Sequence, residues 1–306
     1  MLARIIPRLP GTPAALVGPG DDAAVIAAPD GRFVVTTDMM VHGPDFRLAW
    51  SSPADLGWKA AATNLSDVAA MGARPTALVV AIAAPPSTTV EFLEAFADGL
   101  REACADLAPG CGVVGGDLSV SDVLTIAVTA FGDLEGRAPV LRSGARPGDI
   151  VAVSGALGEA AEGLRLLFTA GVVDGHPDEA AAERVAREHP QAIAAQRRPR
   201  PPIADGPAAA IAGATAMLDV SDGLARDAAR IAEASGVAVA LEGLTEQQFR
   251  GAEDHGLLAT FPAGVTLPGA FRAIGRVEPG AGVTLDGGSA DASGWDPYSG
   301  WNGEAD

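Results

Sequence analysis

The sequence predicts an α/β (α+β) protein of two domains. The first observation is size: 306 residues, 48% of them apolar, are enough for more than one core. The second is order. Before residue 132, short β-branched runs and helical patterns follow one another as β-β-α-β-α-β-β, the pattern of helices layered on a sheet. The third is a junction. Residues 136–149, GRAPVLRSGARPGD, are polar and rich in Gly, Pro and Arg. They divide the chain into 1–137, an N-terminal mixed sheet with helices, and 138–306, a C-terminal layered α/β unit.

The elements can be justified in turn. AAVIAA (23–28) and FVVTT (33–37) flank Pro29-Asp30-Gly31, a strand–turn–strand signal. Residues 53–71 read as a helix: Ser52 can cap it, Pro53 fits its first turn and Gly72 can end it. TALVVAIA (76–83) reads as a buried strand. In 89–107, Phe92, Phe96, Leu100, Cys104 and Leu107 recur near helical spacing, so that stripe should face inward. Residues 112–114 and 123–131 return as strands. Beyond the junction, 150–155 is a strand and about 158–170 a helix; 178–188 is a polar helix. Prolines exclude regular structure from QRRPRPP (196–202). Residues 216–220 form a strand, and 222–235 a helix with Leu224, Ala228 and Ile231 on one face. The tail from 284 is rich in Gly, Asp and Ser but holds Trp295, Tyr298 and Trp301.

Composition excludes several classes. With 39 acidic and 21 basic residues, a net charge of −18 repels bare nucleic acid and anionic membranes. No apolar run is long enough for a bilayer span, and the proline-broken N-terminus lacks a signal-peptide core. Cys104 and Cys111 make neither a disulfide framework nor a metal set; two buried free thiols in a reducing compartment are expected. The expected location is cytoplasmic. Abundant alanine and only 5% aromatics favour close backbone packing over bulky pockets.

The aspartates recur at the ends of elements. Asp22 enters a strand after Gly-Pro-Gly, Asp38 ends FVVTT, Asp67 closes NLSD, Asp117 closes GVVGGD, Asp219 ends AMLD, and Asp222 opens the next helix within DVSDG. An α/β chain places functional groups at such positions. Six carboxylates converging on one pocket repel one another unless a cation intervenes. With no histidine or cysteine spaced as a ligand, an oxygen-only set points to Mg²⁺ or Mn²⁺ bound together with a polyphosphate. Plainer readings stand beside this one. Asp222 with Ser221 can be a helix cap, Asp117 a turn residue, Asp67 a solvated acid, Arg142 a linker charge and Asp21 a turn cap or an outer ligand. There is no G-x-x-x-x-G-K-[ST] and no G-x-G-x-x-G, so a nucleotide must be held another way. His42, His176, His189 and His255 show no metal spacing, and most are expected at the surface.

Taken together, these blocks resemble thiamine-monophosphate kinases, within the superfamily of aminoimidazole ribonucleotide synthetase and selenophosphate synthetase. The matching stretches are GPGDDAAV (18–25), TTDMMV (36–41), NLSDVAAMGARPTAL (64–78), VVGGD (113–117), GRAPVLRSGARPGD (136–149), AMLDVSDGLARD (216–227), IAEASGV (231–237), AEDH (252–255), IGRV (274–277) and GWDPY (294–298). The resemblance implies that superfamily's two-domain fold and a homodimer built through the N-terminal domains. It implies ATP- and Mg²⁺-dependent phosphorylation of thiamine monophosphate to thiamine diphosphate. By position, Asp22, Thr36, Thr37, Asp38, Asp67, Asp117, Asp219 and Asp222 would bind several Mg²⁺ ions. Gly116, Asp117, Arg142 and Ser221 would contact ATP, and Asp45, Glu253 and Tyr298 the acceptor. No protein base is implied, because catalysis would rest on metal and positioning.

Three departures fall on the acceptor side. GPDF carries Asp45 where the family commonly has histidine, GAED carries Ala252 in place of glycine, and the stretch from SGVAV to GAEDH is short. They leave open a related ATP-using enzyme with another acceptor, or a nucleotide-binding relative without turnover.

Overall fold

A computed structural model describes residues 2–17 and 25–292. The chain opens with α1 (Leu2–Ile5) and the antiparallel pair β1 (Ala15–Val17) and β2 (Val25–Ile26). Next come β3 (Val34–Val41), α2 (Pro53–Ala70), β4 (Arg74–Ala84), α3 (Val90–Leu107), β5 (Gly112–Val120) and β6 (Thr125–Asp133). The second half runs β7 (Ile150–Ser154), α4 (Glu159–Ala170), β8 (Val172–Val173), β9 (His176–Pro177), α5 (Glu179–Glu188), α6 (Pro190–Arg197) and α7 (Asp205–Ile211). It ends with β10 (Ala216–Val220), α8 (Leu224–Ser235), β11 (Ala238–Leu241), α9 (Glu246–Arg250), β12 (Gly256–Phe261), β13 (Arg272–Glu278), β14 (Gly282–Leu285) and β15 (Gly288–Ser289).

Two sheets organise the molecule. The first has the order β3-β6-β4-β5 and is mixed, with β4 and β5 parallel. The second has the order β10-β12-β7-β13-β11-β14-β15, with only β11 and β14 parallel. This is the expected α/β (α+β) layout.

Helix α2 lies between the sheets. It packs on β3, β4 and β6 on one side and reaches β10 and β12 on the other. One apolar core therefore joins Leu56, Leu65, Val68, Leu78, Phe96 and Ile126 to Met217, Leu257 and Phe261 of the second sheet. Each large apolar side chain so buried contributes about 1.5–3 kcal/mol. The other face of the second sheet is covered by α8, whose Leu224, Ala228 and Ile231 are buried as the periodicity predicts. On α3, Phe96, Leu100 and Cys104 are buried, with Phe92 and Leu107 partly so. Cys104 and Cys111 are free and buried.

Local chemistry sets the ends of α2. The Ser52 hydroxyl accepts the Asp55 N–H, and the Asp55 carboxylate accepts the Ser52 N–H, closing a capping box worth about 1 kcal/mol. Just past its C-terminus Gly72 adopts φ +74°, which favours glycine.

Several boundaries differ from expectation. Strand pairing carries β3 and β5 past their predicted ends, so Asp38 and Asp117 lie inside strands rather than at corners. Helix α8 begins at Leu224, after Asp222, whose side chain does not cap it. Gln196 and Arg197 complete α6 before the prolines take effect.

α2 and α3 approach through two glycines. A Cβ on Gly57 would lie 2.0 Å from the Phe96 carbonyl oxygen, and one on Gly99 2.0 Å from that of Ala54. Gly57→Ala is expected to lower the unfolding free energy by about 1–3 kcal/mol, through overpacking. Gly11→Ala, which meets nothing within 4 Å, should change it by less than about 0.5 kcal/mol. Denaturant titration checks both; a neutral Gly57→Ala contradicts the packing account.

Candidate active site

The site begins with strand alternation. On β10 (AMLDV), Leu218 and Val220 face the core under α8, while Met217 faces the core shared with α2. Asp219 alternates with Leu218 and so points with Met217 toward α2. On β3, Thr36 and Asp38 likewise point toward α2, since the Thr36 hydroxyl donates 2.8 Å to Asp67 Oδ2. Two strands from different sheets thus aim acids at a helix that adds a third. The structure brings together Thr36, Asp38, Asp67 and Asp219, with Asp222 beside them.

Each of these residues is held by a neighbour, through its carboxylate or its backbone. Asn64 of α2 accepts the Asp38 N–H at 3.0 Å, covering the free edge of β3. The Ser66 hydroxyl donates 3.0 Å to Asp219 Oδ2, and His255 Nδ1 lies 3.0 Å from the same oxygen. Asp222 is engaged by Arg230, which also grips Asp227; the Asp227 carboxylate accepts the Asp222 N–H at 3.1 Å. The sequence reading gives Asn64, Ser66, Asp227 and Arg230 no role. The motif signal reaches only NLSD and DVSDGLARD as strings.

Burial and crowding shift these groups. Asp67 is pushed up to about 7, first by burial and then by Asp219 and Asp38, against the Thr36 hydrogen bond. Asp38 is raised by burial and then by Asp219 and Asp222, against His255. Asp227 is raised to about 7 by burial, against the charge of Arg230. A net excess of negative charge is the defining property of this place. Among the described residues, no three acidic, histidine or cysteine side chains are spaced to enclose one ion. The donor chemistry, crowded carboxylates with a threonine hydroxyl, nonetheless suits a hard divalent cation.

His176 and His189 are exposed, whereas His255 is the buried exception. It is 7% exposed, and although burial works against its charged form, Asp219 lifts its pKa above the usual value. The reason is pairing of β10 with β12: Val220 opposes Gly256, which sets His255 beside Asp219. The turn 253–255 has three separate tasks. Glu253 pairs with Lys59 at 2.7 Å. Asp254 accepts the Gly158 and Ala160 N–H groups and so caps α4. His255 meets Asp219. Glu253 and His255 carry this turn at φ +67° and +53°. Ala252 is outside the positive-φ region, so glycine's freedom is not required there.

A cleft of about 730 Å³ opens onto the acids, within the range of small-molecule sites. Thr36, Asp67 and Asp219 line it, with Arg142 from the junction, Val35 from β3 and Phe33 just before it. β3 is an edge strand, so the cleft wraps around it to both faces of the first sheet. Other predicted residues lie elsewhere. Thr37 pairs with Thr129 on the sheet face away from α2. The row Met39, Ala127, Ala81, Asp117 puts Asp117 on that same face, exposed, three strands from β3. Gly116 precedes it, and a Cβ there would lie 1.9 Å from the Val80 carbonyl oxygen. Ser221 offers its carbonyl to the Glu253 N–H at 2.9 Å. Asp45 accepts the Val41 N–H at 2.7 Å; burial and then Glu253 raise it. Asp21, Asp22 and Tyr298 lie outside the described residues.

Residues 20–134 match the N-terminal domain model of AIR synthase related proteins. The thiamine-monophosphate kinase of Mycobacterium tuberculosis is 43% identical over 96% of this chain and 87% of its own. The enzyme of Corynebacterium glutamicum is 40% identical over 84% of this chain and 80% of its own. Among solved structures, thiamine-monophosphate kinase from Stenotrophomonas maltophilia superposes with a TM-score of 0.77 at 32% identity, covering 94% of this chain and 95% of that one. AaThiL complexed with AMPPCP and TMP superposes at 0.74 with 33% identity over 90% of each chain. A joined cluster of acids, the adjoining cleft and identity at this level over nearly the whole length agree: the chain belongs to the thiamine-monophosphate kinase family.

Proposed function

We propose that this chain transfers the γ-phosphoryl group of ATP to thiamine monophosphate, giving thiamine diphosphate. The carrying observation is the cleft that runs onto the Asp38–Asp67–Asp219 cluster, in a chain 33% identical to a relative solved with AMPPCP and TMP. The acceptor is a phosphate monoester with a second pKa near ~6, so it is largely anionic at neutral pH and needs no protein base. The task is to bring two polyanions into line and offset the charge between them.

The residues divide that task. Thr36, Asp38, Asp67, Asp219 and Asp222, with Asp22, would hold Mg²⁺. A bound divalent cation supplies the positive charge that lets carboxylates and phosphates share one place. Thr36, Asn64, Ser66, His255 and Arg230 hold the carboxylates, or the backbone beside them, in fixed positions. Arg142 stands on the cleft wall, where a guanidinium suits a phosphate. Glu253 and Asp45 lie on the acceptor side and Ser221 on the nucleotide side, with Tyr298 a further acceptor contact.

A homodimer is part of this reading. The sheet face away from α2 leaves Val35 54% and Met39 62% exposed beside the small residues Ala81 and Ala127. An apolar face of this kind is suited to a second copy. Thr37, Gly116 and Asp117 enter the proposal at that face.

Three outcomes are expected. Phosphorus NMR with ATP and Mg²⁺ should show diphosphate product only when thiamine monophosphate is added; acceptor-independent ATP loss, or none at all, removes the proposal. Asp219→Asn should lower kcat/KM by about 10²-fold or more and abolish the Mg²⁺-dependent rise in Tm with ATP. An unchanged Mg²⁺ response would take Asp219 out of the cation site. Met39→Glu should shift the sedimentation coefficient from dimer to monomer; a dimer that survives it places the interface elsewhere.

A further inference from the structure

A buried lysine is uncommon, because its charged form resists desolvation. Lys59 on α2 is 5% exposed, and among the described residues its ammonium makes one hydrogen bond, 2.7 Å to Glu253 Oε2. The partner is less buried: the Glu253 side chain keeps 35% of its surface open. Its Oε1 makes no hydrogen bond among the described residues. The Glu253 backbone is strained at φ +67°, with its N–H tied to the Ser221 carbonyl. Strain of about 1–3 kcal/mol persists only where surroundings over-determine it. Burial disfavours the ionised form of Glu253, yet Lys59 holds its carboxyl below the usual range. Asp45 feels both groups. Two basic groups act on Glu253 here, Lys59 and His255, and among the described residues Lys59 is the one that hydrogen-bonds it.

We propose that Lys59 is a positioning residue for acceptor specificity. It anchors Glu253 by one oxygen as a fixed carboxylate and leaves the other for a cationic ring of the acceptor. This rests on the reading of Glu253 as an acceptor contact. Lys59 and Asp67 lie eight residues apart on α2, about 12 Å along its axis. One rigid helix therefore spaces the acceptor's cationic end from the phosphates.

The test is a double-mutant cycle read as the KM for thiamine monophosphate, the KM for ATP, and calorimetric acceptor affinity without ATP. Lys59→Met should raise the acceptor KM at least about 10-fold and leave the ATP KM within about 2-fold. Lys59→Arg, which keeps the charge, should stay within about 3-fold. In a Glu253→Gln background, Lys59→Met should add less than about 2-fold, because its effect runs through Glu253. A full penalty in that background overturns the proposal, since Lys59 would then act on the ligand itself. An unchanged acceptor KM in Lys59→Met also overturns it. Glu253→Gln with an unchanged acceptor KM would instead remove the acceptor-contact reading. If Lys59→Met does not fold, Lys59→Gln completes the same cycle; losing both partners of a buried pair costs less than losing one.

Discussion

Helix α2 is buried along most of its length, and its neighbours can come so close because they meet it with glycine or expose its own. Gly57 faces Phe96, Gly99 faces Ala54, and a Cβ on Gly206 would lie 2.1 Å from the Ala69 carbonyl oxygen. That close packing puts one helix against two sheets at once. β3 and β10 then have a common target for their inward residues. Without α2 in that place, Asp38 and Asp219 would belong to separate sheets with nothing between them. The site is a consequence of how small residues let backbones approach.

The second constraint is electrostatic. Burial and then the neighbouring Asp219 raise the pKa values of Asp38 and Asp67, and the protein offsets only part of the charge with His255 and Arg230. Buried like charges are costly, so a chain keeps them where something else completes the balance. In the proposed function that is a cation arriving with a polyphosphate. The proposed acceptor end follows the same logic with the sign of the ligand changed: Lys59 holds one oxygen of Glu253 and leaves the other open to a positive ring. A single helix carries both arrangements.

Much of this was legible in the residues. The apolar stripes of α3 and α8, the cap at Ser52 and the stop at Gly72 are local, and local signals predict them. Asp67 and Asp219 could be chosen because they end motifs next to apolar runs. What escaped was non-local. Lys59 carries no signal of its partner in the sequence; the turn before β12 brings Glu253 to it. His255 reads as a surface histidine until the β10–β12 register sets it beside Asp219. The extension of β5 through Asp117 depends on pairing with β4, and strand alternation then turns that residue to the other face. The short strands β11 to β15 are fixed by their neighbours in the sheet, and no single run announces them.

The central claim is that α2 spaces a cation-and-phosphate end from an acceptor end. The most direct measurement is a crystal structure with Mn²⁺, a non-hydrolysable ATP analogue and thiamine monophosphate, with the metals located by anomalous scattering. The account predicts manganese peaks in contact with Asp67 and Asp219, and the acceptor's ring against Glu253 at the Lys59 end. Manganese away from both aspartates, or an acceptor ring remote from Glu253, would contradict it.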